Sequence, residues 1–235
     1  KMEAYILIGS LFVLMAIGVP VAYTLGLVSV IGALLIDLPL DAVMIQIASG
    51  VNKFSLLAIP FFVLAGAIMA EGGIAGRLVN FAAIFVGFIR GGLSLVNILA
   101  STFFGAISGS SVADTASIGS VLIPQMEKKG YPRDFATAVT CSGSVQAILI
   151  PPSHNAVIYS LAAGGSVSIA ALFVAGVMPG IFLGATMMGM CLYFAKKRNF
   201  PKGDPIPLRD AFRIAREALW GLLTVVILLG GILSG

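Results

Sequence analysis

The stretch Phe104-Gly-Ala-Ile-Ser-Gly-Ser-Ser-Val-Ala-Asp-Thr-Ala-Ser-Ile-Gly119 sets serines, a glycine and an aspartate in the middle of a long apolar run. Residues 93–107 read as one helix and residues 112–126 as another, closed by Pro124 and a basic loop. Between them Ser108, Gly109, Ser110 and Ser111 break the path, because glycine lowers helix propensity and serine offers the backbone competing hydrogen bonds. Two geometries fit. If Arg90 and the Lys128-Lys129 pair lie on one side of a membrane, the segment is a re-entrant helical hairpin. If they lie on opposite sides, it is one kinked span. Charge placement favours the hairpin, and an irregular Gly-Ser backbone at membrane depth needs protein or water around it.

The rest of the chain sets that break in a membrane. Of its 235 residues 59% are hydrophobic and 10% charged, with a mean hydropathy of +1.07. Soluble domains average about 45–50% apolar and about 25% charged residues, so this chain has too few polar side chains to coat itself in water. Apolar runs at residues 4–36, 55–70, 78–89, 93–107, 135–150, 170–195 and 218–233 are helix candidates. Several approach the roughly 17–25 residues needed to cross a bilayer, and the first suffices for two short crossings. Backbone groups in lipid must be satisfied within the segment, which calls for helices. The runs do not alternate as barrel strands do. The expected fold is therefore all-α, integral to the membrane and multi-span.

The net charge of +4 comes from two basic loops. Lys128, Lys129 and Arg133 form one; Lys196, Lys197, Arg198, Lys202, Arg209, Arg213 and Arg216 form the other. This is the positive-inside pattern and places both in the cytoplasm. No aromatic residues interleave with the bases as in a nucleic-acid platform, so nucleic acid is excluded as a partner. Cys141 and Cys191 lie in apolar runs without metal-ligand spacing and read as small buried hydrophobes, not a disulfide. The first run lacks a basic n-region and a small-residue cleavage site, so it reads as a retained span. The chain stops at Gly235 with no polar tail, the pattern of a fragment.

Along the chain, Gly18-Val-Pro20 makes either a kink in one tilted helix or a tight turn between two short ones. Asp41 or a neighbour caps a short helix towards Gly50. Residues 55–70 form a span with Pro60 near its start, ended by Gly72 and Gly73. Arg77 and Arg90 bracket an apolar stretch short for a span, which fits a helix lying along the membrane surface. Residues 135–150 are helical until Pro151-Pro152 stop them, residues 153–163 continue as a second half-helix, and Gly164-Gly165 end it. Residues 170–195 return to the cytoplasm, with Gly176, Gly180 and Gly184 as a close-packing stripe and Pro179 as a point of kinking. Residues 208–217 carry Arg209, Arg213 and Arg216 on one face, an interfacial helix before the last span at residues 218–233.

The two breaks are where chemistry concentrates. A broken helix frees carbonyls at the first half's end and N–H groups at the second half's start. The carbonyl end suits a cation such as Na⁺, and the N–H end suits a carboxylate. Ser108, Gly109, Ser110 and Ser111 supply hydroxyls and backbone at the first break. Asp114 stands in the first turn of the second half, where it is either a structural N-terminal acid or an ion-linked group. At the second break Pro151 and Pro152 remove donors and leave carbonyls around Gln146 and Ile148 without partners, while Gly143 permits close backbone approach. Ser153, His154 and Asn155 open the second half-helix, and at an intramembrane break His154 is a candidate for substrate contact or proton linkage. A hydrolase triad lacks its Gly-x-Ser-x-Gly elbow. A channel lacks a repeated filter motif or charged ring.

The run from Phe104 to Gly119 resembles the large membrane subunit of tripartite ATP-independent periplasmic (TRAP) transporters, the DctM-like family. So do Ile123-Pro-Gln-Met126, Gly130-Tyr-Pro132, Ile148-Leu-Ile-Pro-Pro-Ser153, Ile59-Pro-Phe-Phe-Val-Leu-Ala-Gly66 and Ala175-Gly-Val-Met-Pro-Gly180. The resemblance spans essentially the whole chain. It implies a transporter and not an enzyme: an elevator-type protein of two inverted repeats, of which this chain is the first plus one helix of the second. It implies Na⁺ as coupling ion with no organic cofactor, and an organic-acid substrate such as a dicarboxylate or sialic acid. It also implies a small membrane subunit and a periplasmic substrate-binding protein as partners, and the bacterial inner membrane as location. On this chain it puts scaffold spans and an interfacial arm at residues 1–90, the transport-domain hairpin and broken helix at 91–165, and a connecting span, basic loop and first helix of the second repeat at 166–235. The implied cation site comprises Ser108, Gly109, Ser110, Ser111, Gly143, Gln146, Ile148 and Pro151; substrate contacts fall on Ser111, Asp114, Ser153, His154 and Asn155. The resemblance also favours two short spans in residues 4–36, with a periplasmic N-terminus. His154-Asn155 stand where many members have Ile-Pro.

Overall fold

The computed structural model describes residues 2–53, 56, 58–164 and 166–234; Ser55, Gly165 and Gly235, named above as segment ends, lie outside them. The chain divides into two compact units, Lys1–Leu56 and Leu57–Gly235. In the first, α1 (Met2–Ala16) and α2 (Val21–Leu35) are followed by α3 (Leu40–Val51). The Gly-Val-Pro step is a tight turn, not a kink. Gly18 takes φ +90°, and the buried Thr24 hydroxyl donates to the Val19 carbonyl at 3.2 Å. The two helices lie side by side in opposite directions, with Leu7 so close over Gly32 that a β-carbon there would come within 2.9 Å of Cδ2. Pro39 and not Asp41 occupies the N-cap of α3, and Asp41 sits in its first turn. Large apolar side chains such as Tyr5, Phe12, Tyr23 and Met44 point outward, as lipid-facing surface does.

The second unit comprises α4 (Ala58–Glu71), α5 (Ile74–Val86), α6 (Gly92–Ser108), α7 (Ser111–Lys128), α8 (Arg133–Ala147), α9 (His154–Ala162), α10 (Ile169–Lys197) and α11 (Leu208–Ser234). Helices α6 and α7 form a hairpin. The Asn97 Nδ2 of α6 lies 3.7 Å from Met126 Sδ near the end of α7, and Leu93 packs against Met126 and Tyr131. A single kinked span would hold these residues far apart.

Helix α8 runs parallel to α6 and seals the hairpin along a polar seam. Asn97 Nδ2 donates to Thr140 Oγ1 at 2.8 Å, Thr115 Oγ1 to Ser144 Oγ at 2.7 Å, and Gln146 Nε2 to Thr102 Oγ1 at 2.8 Å. Small residues let the backbones approach: a β-carbon on Gly143 would sit 3.1 Å from Ser101 Oγ, and one on Gly105 would collide with Ala147. With lipid outside, close packing and such interhelical hydrogen bonds hold helices together, because lipid removes the hydrophobic drive.

On the hairpin's other side α5 buries Leu78, Val79 and Ala82 against Val96, Phe104, Ile118 and Leu122. The stretch between Arg77 and Arg90 is thus a packing helix of this unit, not only a surface-lying one.

Arg90, Arg198 and Lys202 gather at one end of this unit. Arg90 Nη1 donates to Asn199 Oδ1 at 3.0 Å and Gly91 N to the Pro201 carbonyl at 3.0 Å. Phe200 packs 4.4 Å from the Tyr131 ring, and Arg198 lies over Phe135 and Phe194 at 5.9 and 5.6 Å. Burial pushes the Tyr131 phenol up to about 12, partly offset by a hydrogen bond with the Leu93 backbone. The loops after α7 and after α10 therefore share a side, as their charge suggested.

Two local expectations change. Pro124 lies inside α7, which runs on to Lys128; a proline removes one ladder hydrogen bond but need not end a helix that its neighbours hold. Pro179 lies within α10, inside the single span expected there. The amphipathic stretch and the last apolar run are one continuous helix, α11, with Arg213 paired to Asp210 at 3.3 Å. Among the described residues α10 is the one helix long and apolar enough to cross a membrane by itself. Residues 59–69 and 74–86, bent by 75°, qualify as a pair. The apolar helices at residues 3–16, 21–35, 40–51 and 92–108 are shorter, bounded by glycines and prolines.

Candidate functional site

The first break is built from local backbone chemistry. Helix α6 ends at Ser108, and Gly109 takes the left-handed conformation (φ +60°) that closes a helix. Ser110 N-caps α7, its hydroxyl accepting from Ala113 N at 3.4 Å. Ser108 Oγ accepts from Ser110 N at 3.4 Å. Ser108 is buried and Ser111 half-buried. Gly66 of α4 backs the break: a β-carbon there would be 3.4 Å from Ser108 Cβ.

The second break lies directly against the first. A β-carbon on Gly109 would meet the Pro152 carbonyl oxygen at 2.9 Å and His154 N at 3.3 Å. Helix α8 stops at Ala147 and turns through a cis Pro151-Pro152 bond into α9. The Gln146 carbonyl, expected to be free, accepts from Leu149 N at 3.0 Å, and the Val145 carbonyl accepts from Ile148 N at 3.3 Å. A final turn thus takes up part of the acceptor capacity that two prolines were expected to liberate. Ser153 sits at the N-cap of α9 without a capping bond. Its Oγ and His154 Nδ1 are buried and unpartnered among the described residues. Asn155 is exposed. Ile148, Ser153 and Asn155, with Tyr159 and Phe173, line a cavity of ≈ 320 Å³ beside this break.

Asp114 lies in the first turn of α7, its N–H donating to the Ser110 carbonyl at 3.0 Å. It is fully buried, and neither carboxylate oxygen has a hydrogen-bond partner among the described residues. The Ser101 side chain lies alongside it with its own Oγ unpartnered. Gly143 packs against the same Ser101 and against Ile98, about 10 Å along α6 from Ser108 at roughly 1.5 Å per residue. The structure therefore brings Gly109, between Ser108 and Ser110, to Pro152, Ser153 and His154, and brings Gly143 to Ser101. Gln146 extends into the same seam, with its Oε1 buried and unpartnered.

Ser101, Thr102, Gly66 and Gly105 were not singled out from sequence. A single serine or threonine in an apolar helix reads as bonded to its own backbone, and Thr102 does bond the Ile98 carbonyl at 2.9 Å. Ile59-Pro-Phe-Phe-Val-Leu-Ala-Gly66 was the available signal for Gly66, since it places an unusual glycine at the end of a motif.

The donor set is hydroxyl, carbonyl and carboxylate oxygen, which suits a hard cation. The N–H groups opening α7 and α9 suit an anion. Among the described residues no group of three or more His, Cys, Asp or Glu converges.

The profile of the family described as Tripartite ATP-independent periplasmic transporter, DctM component, matches residues 8–235. The chain is 44% identical over 234 residues to the uncharacterized protein YgiK of Salmonella typhimurium, covering 98% of this chain and 53% of that one. It is 38% identical over 248 residues to the C4-dicarboxylate TRAP transporter large permease protein DctM of Rhodobacter capsulatus, covering 100% and 56%. It is 38% identical over 233 residues to the sialic acid TRAP transporter large permease protein SiaM of Vibrio cholerae, covering 97% and 54%. The chain thus spans about half the length of the curated relatives it matches.

Proposed function

Because this chain belongs to the DctM-component family of tripartite ATP-independent periplasmic transporters, we propose that its abutting helix breaks form one half of a site coupling Na⁺ to the import of a small organic acid. The family is one of membrane permeases and not of enzymes, so the hydrolase reading falls away.

The observation that carries the proposal is the contact of Gly109 with Pro152 and His154. It makes the two breaks one place. Hydroxyl and carbonyl oxygens at Ser108, Gly109, Ser110, Ser111, Ile148 and Pro151 hold Na⁺ there, while Gly143 and Gln146 brace the seam behind it. The carboxylate substrate meets Ser111, Ser153, His154 and Asn155. Na⁺ orders the hairpin tip against the second break and completes the anion site, so ion and substrate strengthen each other's binding. Asp114 supplies the negative charge that offsets the cation.

Relatives named for C4-dicarboxylate and for sialic acid support a carboxylate as the shared chemical feature. The hairpin enters and leaves the bilayer from the side of the basic loops, which is the cytoplasmic side of the bacterial inner membrane. Residues 91–165 act as the transport element of an elevator, with α5 packed on it as an arm and the spans before it as scaffold. Residues 166–235 lead into a second, inverted repeat. A small membrane subunit and a periplasmic binding protein complete the machine.

The test is uptake by the whole permease, reconstituted with its small subunit and supplied with its binding protein. Ser111→Ala, which removes a first-break hydroxyl, and Pro152→Ala, which alters the backbone that meets Gly109, are each expected to raise the Na⁺ concentration for half-maximal uptake about tenfold. That corresponds to losing one charge-assisted contact of about 1.4 kcal/mol. Assembly with the small subunit is expected to survive. Wild-type Na⁺ dependence in both variants would remove this assignment.

A further inference from the structure

We propose that α5 and α11 hold a site for the phosphate of an anionic phospholipid, built on Arg77 and Arg216. The two arginines, with Glu217 and Trp220, line a cleft of ≈ 510 Å³. Arg77 is the one charged residue of α5. Arg216 and Glu217 are the last charges of α11, and residues 218–234 carry none. Packing sets the two arginines together: a β-carbon on Gly221 would lie 3.2 Å from Ile74 Cγ2, and Leu222 packs against the core that holds Leu78.

Both arginines are exposed. Among the described residues neither guanidinium has an ion-pair partner, although Arg213 one turn earlier is paired with Asp210. Two guanidinium groups and one carboxylate in one cleft leave net positive charge. Both guanidinium groups are therefore open to an anion from outside the helix pair.

The sequence around the cleft argues for lipid. The cleft lies where α11 passes from charged to wholly uncharged sequence, the change a helix shows where it enters a bilayer. Trp220 lines the same cleft, and tryptophan favours a membrane boundary because its ring is apolar and its N–H polar. Guanidinium binds phosphate oxygens through a fork of donors, and basic pockets between membrane helices hold anionic headgroups. Glu217 weakens the site without cancelling it.

Native mass spectrometry of the whole permease with its small subunit tests this, using phosphatidylglycerol, phosphatidylcholine and inorganic phosphate as probes. Phosphatidylglycerol is expected to be retained in preference to phosphatidylcholine. Arg77→Gln and Arg216→Gln should each weaken it about fivefold, from about 1 kcal/mol per basic side chain. Glu217→Gln should strengthen it, a change of sign that general loss of structure cannot produce. Equal phosphatidylglycerol binding in wild type and both arginine variants would overturn the site. So would displacement of the lipid by inorganic phosphate, or lipid binding that appears only after the small subunit is removed.

Discussion

Replacing Gly109 by alanine is expected to lower Na⁺-dependent uptake about a hundredfold, whereas Gly130→Ala is expected to leave it within about threefold. Both glycines hold positive φ, +60° and +85°. An L-residue there costs roughly 1–2 kcal/mol, so backbone strain is common to the two variants. They differ in surroundings. Nothing lies within 4 Å of a β-carbon at Gly130, whereas one at Gly109 meets the Pro152 carbonyl oxygen at 2.9 Å and Ser153 Cα at 3.3 Å. That obstacle is backbone, which cannot rotate away, so the hairpin tip must lift off the second break. Overpacking of this kind costs about 1–3 kcal/mol, and because it falls on the contact between the breaks its upper end corresponds to about two orders of magnitude in transport. Thermal stability measured beside uptake separates the cases. Equal losses of uptake in the two variants would mean that contact between the breaks is irrelevant.

Asp114→Asn is expected to reduce uptake about a hundredfold and to leave the residue of activity insensitive to Na⁺. The carboxylate is fully buried with both oxygens unpartnered among the described residues. A charge in such a place is costly unless something neutralises it. Breaking a buried charge pair by removing one partner typically costs about 3–5 kcal/mol, the origin of the expected factor. Asparagine keeps the shape and removes the charge, so a loss on this scale would report electrostatics and not packing. Asp114→Glu should not rescue, because Ser101, Gly143 and the Thr115–Ser144 hydrogen bond crowd the seam. Full Na⁺-dependent uptake in Asp114→Asn would make this residue a structural acid of the first turn of α7.

Both breaks were legible in sequence because polar and helix-breaking residues inside apolar runs are conspicuous. Charge placement favoured the hairpin over one kinked span, and the contact of Asn97 with Met126 agrees. The resemblance put both breaks in one cation site, but no local pattern named Gly109 as the residue that touches Pro152. Gly143 was read as a residue of the cation site because it allows close approach. It does so, but towards Ser101. Ser101 itself gave no signal, since a lone serine on a helix usually bonds its own backbone. The continuity of α11 was hidden because its polar and apolar halves have different compositions, and composition reports environment more directly than backbone path.

The central claim is that a carboxylate crosses the membrane only together with Na⁺. Uptake of a panel of labelled carboxylates by vesicles containing the whole permease and its small subunit tests it most directly. The binding protein is added outside, under an inward gradient of Na⁺ or of K⁺. Accumulation of at least one carboxylate under Na⁺, with none above background under K⁺, is the expected result. Equal accumulation under the two gradients would contradict it.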